Sequence, residues 1–110
     1  MGKNSKSNYR DGDSFSRRAK LEGYRSRSAL KLKELQKKDH LIKKGMSVLD
    51  LGSFPGGWSQ VSKEFVGKTG KVVGVDLQKV KTIEGTSFIH KSIIDLENKD
   101  FEGILPFDIV

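Results

Sequence analysis

A chain of 110 residues is long enough for one modest domain with a thin core. It has no cysteine, which excludes a disulfide framework and a thiolate metal site and fits a reducing, cytoplasmic setting; its apolar runs of a few residues are too short to cross a bilayer. The net charge of +7 is unevenly held: residues 1–44 contain 14 Lys and Arg against 5 Asp and Glu, and residues 45–110 contain 7 against 9. A basic front half suits an anionic partner, nucleic acid above all, with a solubilising tail as the plain alternative.

In chain order, residues 1–23 are rich in Ser, Asn, Asp, Gly, Lys and Arg and read as a basic mobile arm, with a short helical turn around "SRRAKLEGY". Residues 24–110 read as the folded part. Arg17, Arg18, Arg25 and Arg27 are candidates for holding RNA phosphates. A helix is predicted from Ser26, where Ala29, Leu32 and Leu35 fall three apart and form one apolar stripe. Lys31, one turn before Leu35, borders that stripe and is expected to be held by the packed face.

"SVLDL" (Ser47 to Leu51) reads as a buried strand and "GSFPGG" as a turn. Trp58, Val61 and Phe65 then recur at helical spacing up to "GKTG". "KVVGVD" (Lys71 to Asp76) reads as a second strand, "TSFIH" as a third, and "ILPFDIV" as the start of a fourth, with Pro106 at its beginning. Strand, glycine turn, helix, strand is a βαβ unit, so the fold class is α/β with a parallel sheet.

In such a sheet, ligands bind beyond the carboxyl ends of the strands. Gly52, Gly56 and Gly57 follow the first strand, and each lacks the Cβ that would keep a ligand away from the main chain. Asp76 stands 24 residues after Gly52, at the end of the next strand, where a carboxylate can accept ribose hydroxyls. Three ligands compete. A nucleoside triphosphate calls for GxxxxGK[ST], and no Lys-Ser or Lys-Thr follows these glycines. A dinucleotide prefers G-x-G-x-x-G, whereas this loop reads G-S-F-P-G-G. A nucleoside bearing an amino acid, such as S-adenosylmethionine, needs the ribose acid and the close approach but no phosphate cradle. Asp50 could be a ligand or could satisfy turn amides, the second being the preferred reading. Trp58 reads as core packing with cofactor contact in addition. His40 and His90 have no partner pattern, so no metal site is expected.

"YRSRSALKLKEL", "GMSVLDLGSFPGGWSQV", "GKVVGVDLQ" and "IEG" occur in this order and spacing. Together they resemble the FtsJ-type (RlmE) ribose 2′-O-methyltransferases of ribosomal RNA, over roughly Tyr24 to Asp95. The resemblance implies a Rossmann-like S-adenosylmethionine-dependent fold, here the N-terminal part with about four parallel strands. It also implies a cytoplasmic, monomeric enzyme without a membrane anchor that methylates a uridine ribose of large-subunit ribosomal RNA. Relatives acting on transfer RNA or messenger-RNA caps share much of the pattern. The implied cofactor contacts fall on Gly56, Trp58 and Asp76, with Asp50 and Gly52 supporting the turn. Ser92 stands where the family carries an acid that contacts the adenine amino group, and Asp95 is the nearby substitute. Lys31 corresponds to the first residue of a catalytic Lys-Asp-Lys-Glu set. The other three members are not among these 110 residues, so the expectation is a chain that keeps part of the cofactor pocket without turning over. The alternative reading is a non-catalytic basic RNA-binding module. A weaker one is a nicotinamide-dependent enzyme.

Overall fold

The computed structural model of the chain describes residues 14, 16–104 and 106–110. Helical residues 16–21 (α1) lead into α2 (Ser28–Asp39), β1 (Ser47–Leu51), α3 (Gly57–Val66), β2 (Lys71–Asp76) and β3 (Thr86–His90). Two single 3-10 turns, Ile93–Asp95 and Asn98–Phe101, follow.

The helical turn expected around "SRRAKLEGY" is present. Ala19 within it is buried, and its carbonyl accepts from Tyr24 N at 2.8 Å. That stretch of the expected mobile arm therefore packs on the domain, while residues 1–13 lie outside the described residues.

The helix predicted from Ser26 begins at Ser28, and its apolar stripe differs from the expected one. Ala29, Leu30, Leu32 and Gln36 are buried, whereas Leu35 is 42% exposed. Gln36 can face inward because both ends of its amide are bonded. Its Oε1 accepts from Ile42 N at 2.8 Å, and its Nε2 donates to the Ile42 carbonyl. Stepping by four from Leu32 to Gln36 rotates Leu35 outward. Lys31 goes with it and is exposed, not held by the packed face. The helix closes at His40, whose left-handed backbone (φ 50°) lets its N–H reach the Gln36 carbonyl, with Lys37 and Lys38 at the negative end of the dipole.

β1 pairs with β2 and β2 with β3, all parallel, in the registers Val48↔Val72 and Gly74↔Phe88. Val72, Val73 and Val75 are all buried, since the central strand is covered on both faces and therefore reads as an apolar run without alternation. One face carries α2 and α3, with Ala29, Leu32, Val61 and Val66 of the helices clustered with Val48 and Val72 of the sheet. The other is covered by Leu96, Phe101, Ile104 and Phe107, with Phe101 packed against Val73 and Val75.

Of the expected start of a fourth strand, the described residues show one parallel bridge, Val48↔Ile109, with Leu49 N donating to the Ile109 carbonyl at 2.9 Å. Pro106 has no N–H to give to a ladder, and the Asp108 carboxylate takes the Ser47 amide at 2.7 Å in place of a main-chain carbonyl. Even so, the bridge lies on the edge of β1 that β2 leaves free. The chain moves outward from β1 to β3 on one side and returns on the other, so strand order reverses at β1. A crevice at that point is where an open α/β sheet binds ligands.

Candidate functional site

A cavity of about 210 Å³ opens at the carboxyl end of β1. Its walls are the Ser26–Ser28 turn, Asp50 and Leu51, the Gly52–Pro55 turn, and Gly57 with Trp58 at the start of α3. The turn is anchored from beneath by β2, because Gly52 N and Ser53 N both donate to the Val75 carbonyl at 2.8 and 3.0 Å. It is anchored from the side by Asp76, whose Oδ2 accepts from Phe54 N at 3.0 Å while Oδ1 accepts from Gln78 N at 2.7 Å. The acid at the end of β2 thus joins the turns that follow both strands.

Asp50 does not satisfy turn amides, since Val75 already does. Its carboxylate accepts from the Ser59 hydroxyl at 2.7 Å across the β1–α3 interface. Burial raises its pKa above the ordinary carboxylate value; the Ser59 bond opposes this and the Asp76 charge adds to it.

The three glycines have different jobs. At Gly52 (φ +75°) the space a Cβ would fill is open, so a ligand can approach. At Gly56 (φ +117°) a Cβ would meet Arg25 Nη1 at 3.1 Å and Ile83 Cδ1 at 3.2 Å, and at Gly57 it would collide with Ser26 Oγ. Two of the three therefore make room for the protein itself, and Gly57 lines the cavity as well. Trp58 is not a core residue either. It is 40% exposed, and its Nε1 donates to the Ser28 carbonyl at 2.9 Å, which stands the ring as a cleft wall.

Ser92 is half-buried and near Asp76, because Lys91 N donates to the Asp76 carbonyl at 3.1 Å. Asp95 is exposed, and its amide donates to the Ser92 carbonyl at 3.0 Å. Lys31 lies one turn beyond Ser28 on α2. Of the four arginines, Arg17 and Arg27 are exposed, and Arg18 pairs with Glu22 at 3.1 Å. Arg25 has partners within the fold. Its guanidinium donates to the carbonyls of Pro55, Lys81 and Thr82, which leaves it committed to the fold.

The sequence reading missed Ser26, Ser28 and Ser53. The first two alternate with the arginines of "RSRS", face the cleft and share a hydrogen bond at 2.8 Å. Ser53 Oγ is buried without a partner among the described residues. Serines in a charged run give no signal of which side they face; only the close contact at Gly57 decides it.

The FtsJ-like methyltransferase family matches residues 24–110. Ribosomal RNA large subunit methyltransferase E of Methanosarcina barkeri is 53% identical over 81 residues, which is 74% of this chain and 30% of that protein. The Nitrosospira multiformis protein of the same name is 45% identical over 102 residues, 89% of this chain and 50% of its own length. A crystal structure described as that of a ribosomal RNA methyltransferase from Plasmodium falciparum superposes with a TM-score of 0.57 at 38% identity, covering 64% of this chain and 39% of that one. The chain thus spans between about a third and a half of the relatives it matches. It belongs to the FtsJ-like methyltransferase family.

Proposed function

We propose that these residues form the cofactor-binding part of a ribose 2′-O-methyltransferase of large-subunit ribosomal RNA, acting on a uridine in the cytoplasm, with S-adenosylmethionine in the cleft at β1. The observation that carries this is the joint at the sheet's switch point: an open Gly52 turn tied through Phe54 N to the carboxylate of Asp76. The site fits such a donor. Gly52 leaves the main chain approachable, and Gly57 is followed directly by Trp58, with no P-loop lysine there to hold a triphosphate. When bound, S-adenosylmethionine supplies an electrophilic methyl group on a sulfonium.

The residues of this chain do the holding. Asp76 keeps acceptor capacity beyond its two amide bonds and takes ribose hydroxyls, while Trp58 walls the cleft. The cavity is below the roughly 300 Å³ common for small-molecule sites, so the adenine end extends past Asp76 toward Ser92 and Asp95. Lys31, exposed on α2, supplies a cation that orients the RNA 2′-hydroxyl and favours its ionised form. Arg17 and Arg27 contribute to phosphate contact.

Titration calorimetry of the chain with S-adenosylmethionine, NAD and ATP tests the reading. Saturable binding of the first alone is expected, and preference for either diphosphate-bearing ligand would refute it. With ribosomal RNA and methyl-labelled cofactor, the 110 residues alone should yield no 2′-O-methyl product, because the family's proposed base is not among them. RNA binding that is steeply salt-dependent and indifferent to the cofactor would favour the binding-module reading instead.

A further inference from the structure

We infer that Arg25 is a positioning residue of the cofactor cleft: its guanidinium locks the glycine turn to the β2–β3 connection and thereby sets cofactor affinity. This rests on the proposed placement of S-adenosylmethionine in that cleft. Nη1 donates to the carbonyls of Pro55 (3.2 Å) and Lys81, and Nη2 donates to that of Thr82 at 2.9 Å. No carboxylate pairs with Arg25 among the described residues, so its charge is spent on main-chain dipoles from two separate loops. The side chain passes close to Gly56, where a Cβ would stand 3.1 Å from Nη1 and 3.3 Å from Cδ. The backbone of Arg25 is fixed as well, since its N–H donates to Gln60 Oε1 at 2.9 Å and Gln60 Nε2 returns a bond to the Gly23 carbonyl at 3.1 Å.

The connection from Leu77 to Gly85 carries Asp76 at its base, and the carbonyls of Lys81 and Thr82 receive no other donor among the described residues. Without the guanidinium, the turn that approaches the ligand and the segment that follows the ribose acid are joined only at their bases, through the Asp76 carboxylate, and lose the anchor at Pro55, Lys81 and Thr82. The ligand would then have to order them on binding, which lowers affinity. Only arginine suits the task. Its planar fork reaches several carbonyls at once, whereas a lysine ammonium is a single point on a flexible stem.

Two variants separate the two possible roles: Arg25→Lys keeps the charge and removes the fork, and Arg25→Gln removes the charge. Binding of S-adenosylmethionine should weaken about ten- to a hundredfold in Arg25→Lys, while Arg25→Gln leaves the slope of log K against log salt for single-stranded RNA unchanged. Arg27→Gln, by contrast, should lower that slope by about 0.7. Unaltered cofactor affinity in Arg25→Lys, or a fall in the salt slope of Arg25→Gln, would overturn the inference.

If the unmodified chain itself does not bind S-adenosylmethionine, the cofactor reading fails. The lock is then judged by tryptic cleavage at Lys79 and Lys81, which should be faster in Arg25→Lys while cleavage at Lys37 and Lys38 is not. Should that variant not fold, side-chain NMR of the unmodified chain decides. Arg25 should show separate, slowly exchanging Nη protons, and averaging like that of a solvated arginine would refute the lock.

Discussion

The two faces of the sheet are covered by different means. On one, α2 and α3 enclose Ala29, Leu32, Val48, Val61, Val66 and Val72, and polar groups along their contacts are matched: Asp50 of β1 with Ser59 of α3, and Trp58 of α3 with the Ser28 carbonyl of α2. On the other, two 3-10 turns and an irregular stretch lay Phe101 over Val73 and Val75 and set it edge-on to Phe107 at 5.4 Å, while Ile93 and Ile94 stay exposed, Ile94 to 92%. The candidate cleft is built on the helical face and the strand ends, where every wall is anchored by a side-chain or strand contact. A site meant to hold a cofactor in fixed geometry needs that kind of support.

The largest test of this contrast compares two truncations. Leu32→Ala, on the helical face, should cost about 3 kcal/mol in chemical denaturation, within the range for enclosed leucines. Phe101→Ala should cost less than about 2 kcal/mol, short of the value for an enclosed phenylalanine, because its cover can settle. Equal or reversed costs would erase the distinction.

Next is Gly74→Ala. Its Cβ would meet the Phe88 ring at 2.5 Å and Ser53 Oγ at 2.8 Å, so about 1–3 kcal/mol should be lost and the glycine turn displaced. A lowered melting temperature together with weaker cofactor binding is the expected pair of readings.

Acid sharpens the contrast further, since the two faces carry carboxylates shifted in opposite directions. Asp50 is raised mainly by burial. A raised carboxylate contributes stability that is complete below its unfolded value and is lost as pH rises through the folded one. Asp100 is lowered, first by the Glu97 amide and then by Lys91, so its contribution is present above the ordinary carboxylate range and is lost as pH falls. Amide exchange measured while pH is lowered from neutral into the carboxylate range should show residues 97–101 loosening before α3. The reverse order would contradict both assignments. Asp50→Asn should flatten the acid response of α3, its amide oxygen still accepting from Ser59.

The smallest effect belongs to the surface. Arg18→Ala, which removes an exposed pair with Glu22, should alter stability by less than about 0.5 kcal/mol in thermal melts.

Much of the site was legible before folding. Periodicity placed all three strands and α3 where they stand, and the glycine-rich turn singled out in the sequence borders the cavity at the end of β1. Arg25 and Arg27 show where legibility ended. Two residues apart in "RSRS", they were read alike as phosphate ligands, yet one is clamped under the glycine turn and the other is exposed. Charge is a property of the residue, but its use depends on which carbonyls the fold brings near. Leu35 and Gln36 make the same point for packing, because a three-residue spacing favoured the leucine, and a bond pair to Ile42, formed only after the chain turns back, buried the glutamine.

By itself the sequence determined the βαβ order, the parallel sheet and the position of the ligand turn, because these follow from local apolar patterning and from residues whose backbone freedom is unusual. The tertiary structure alone decided which glycines have protein neighbours where a Cβ would stand, where Asp50 directs its carboxylate, and which edge of β1 Ile109 joins. Those outcomes depend on contacts between segments far apart in the chain, and no spacing rule within one segment encodes them.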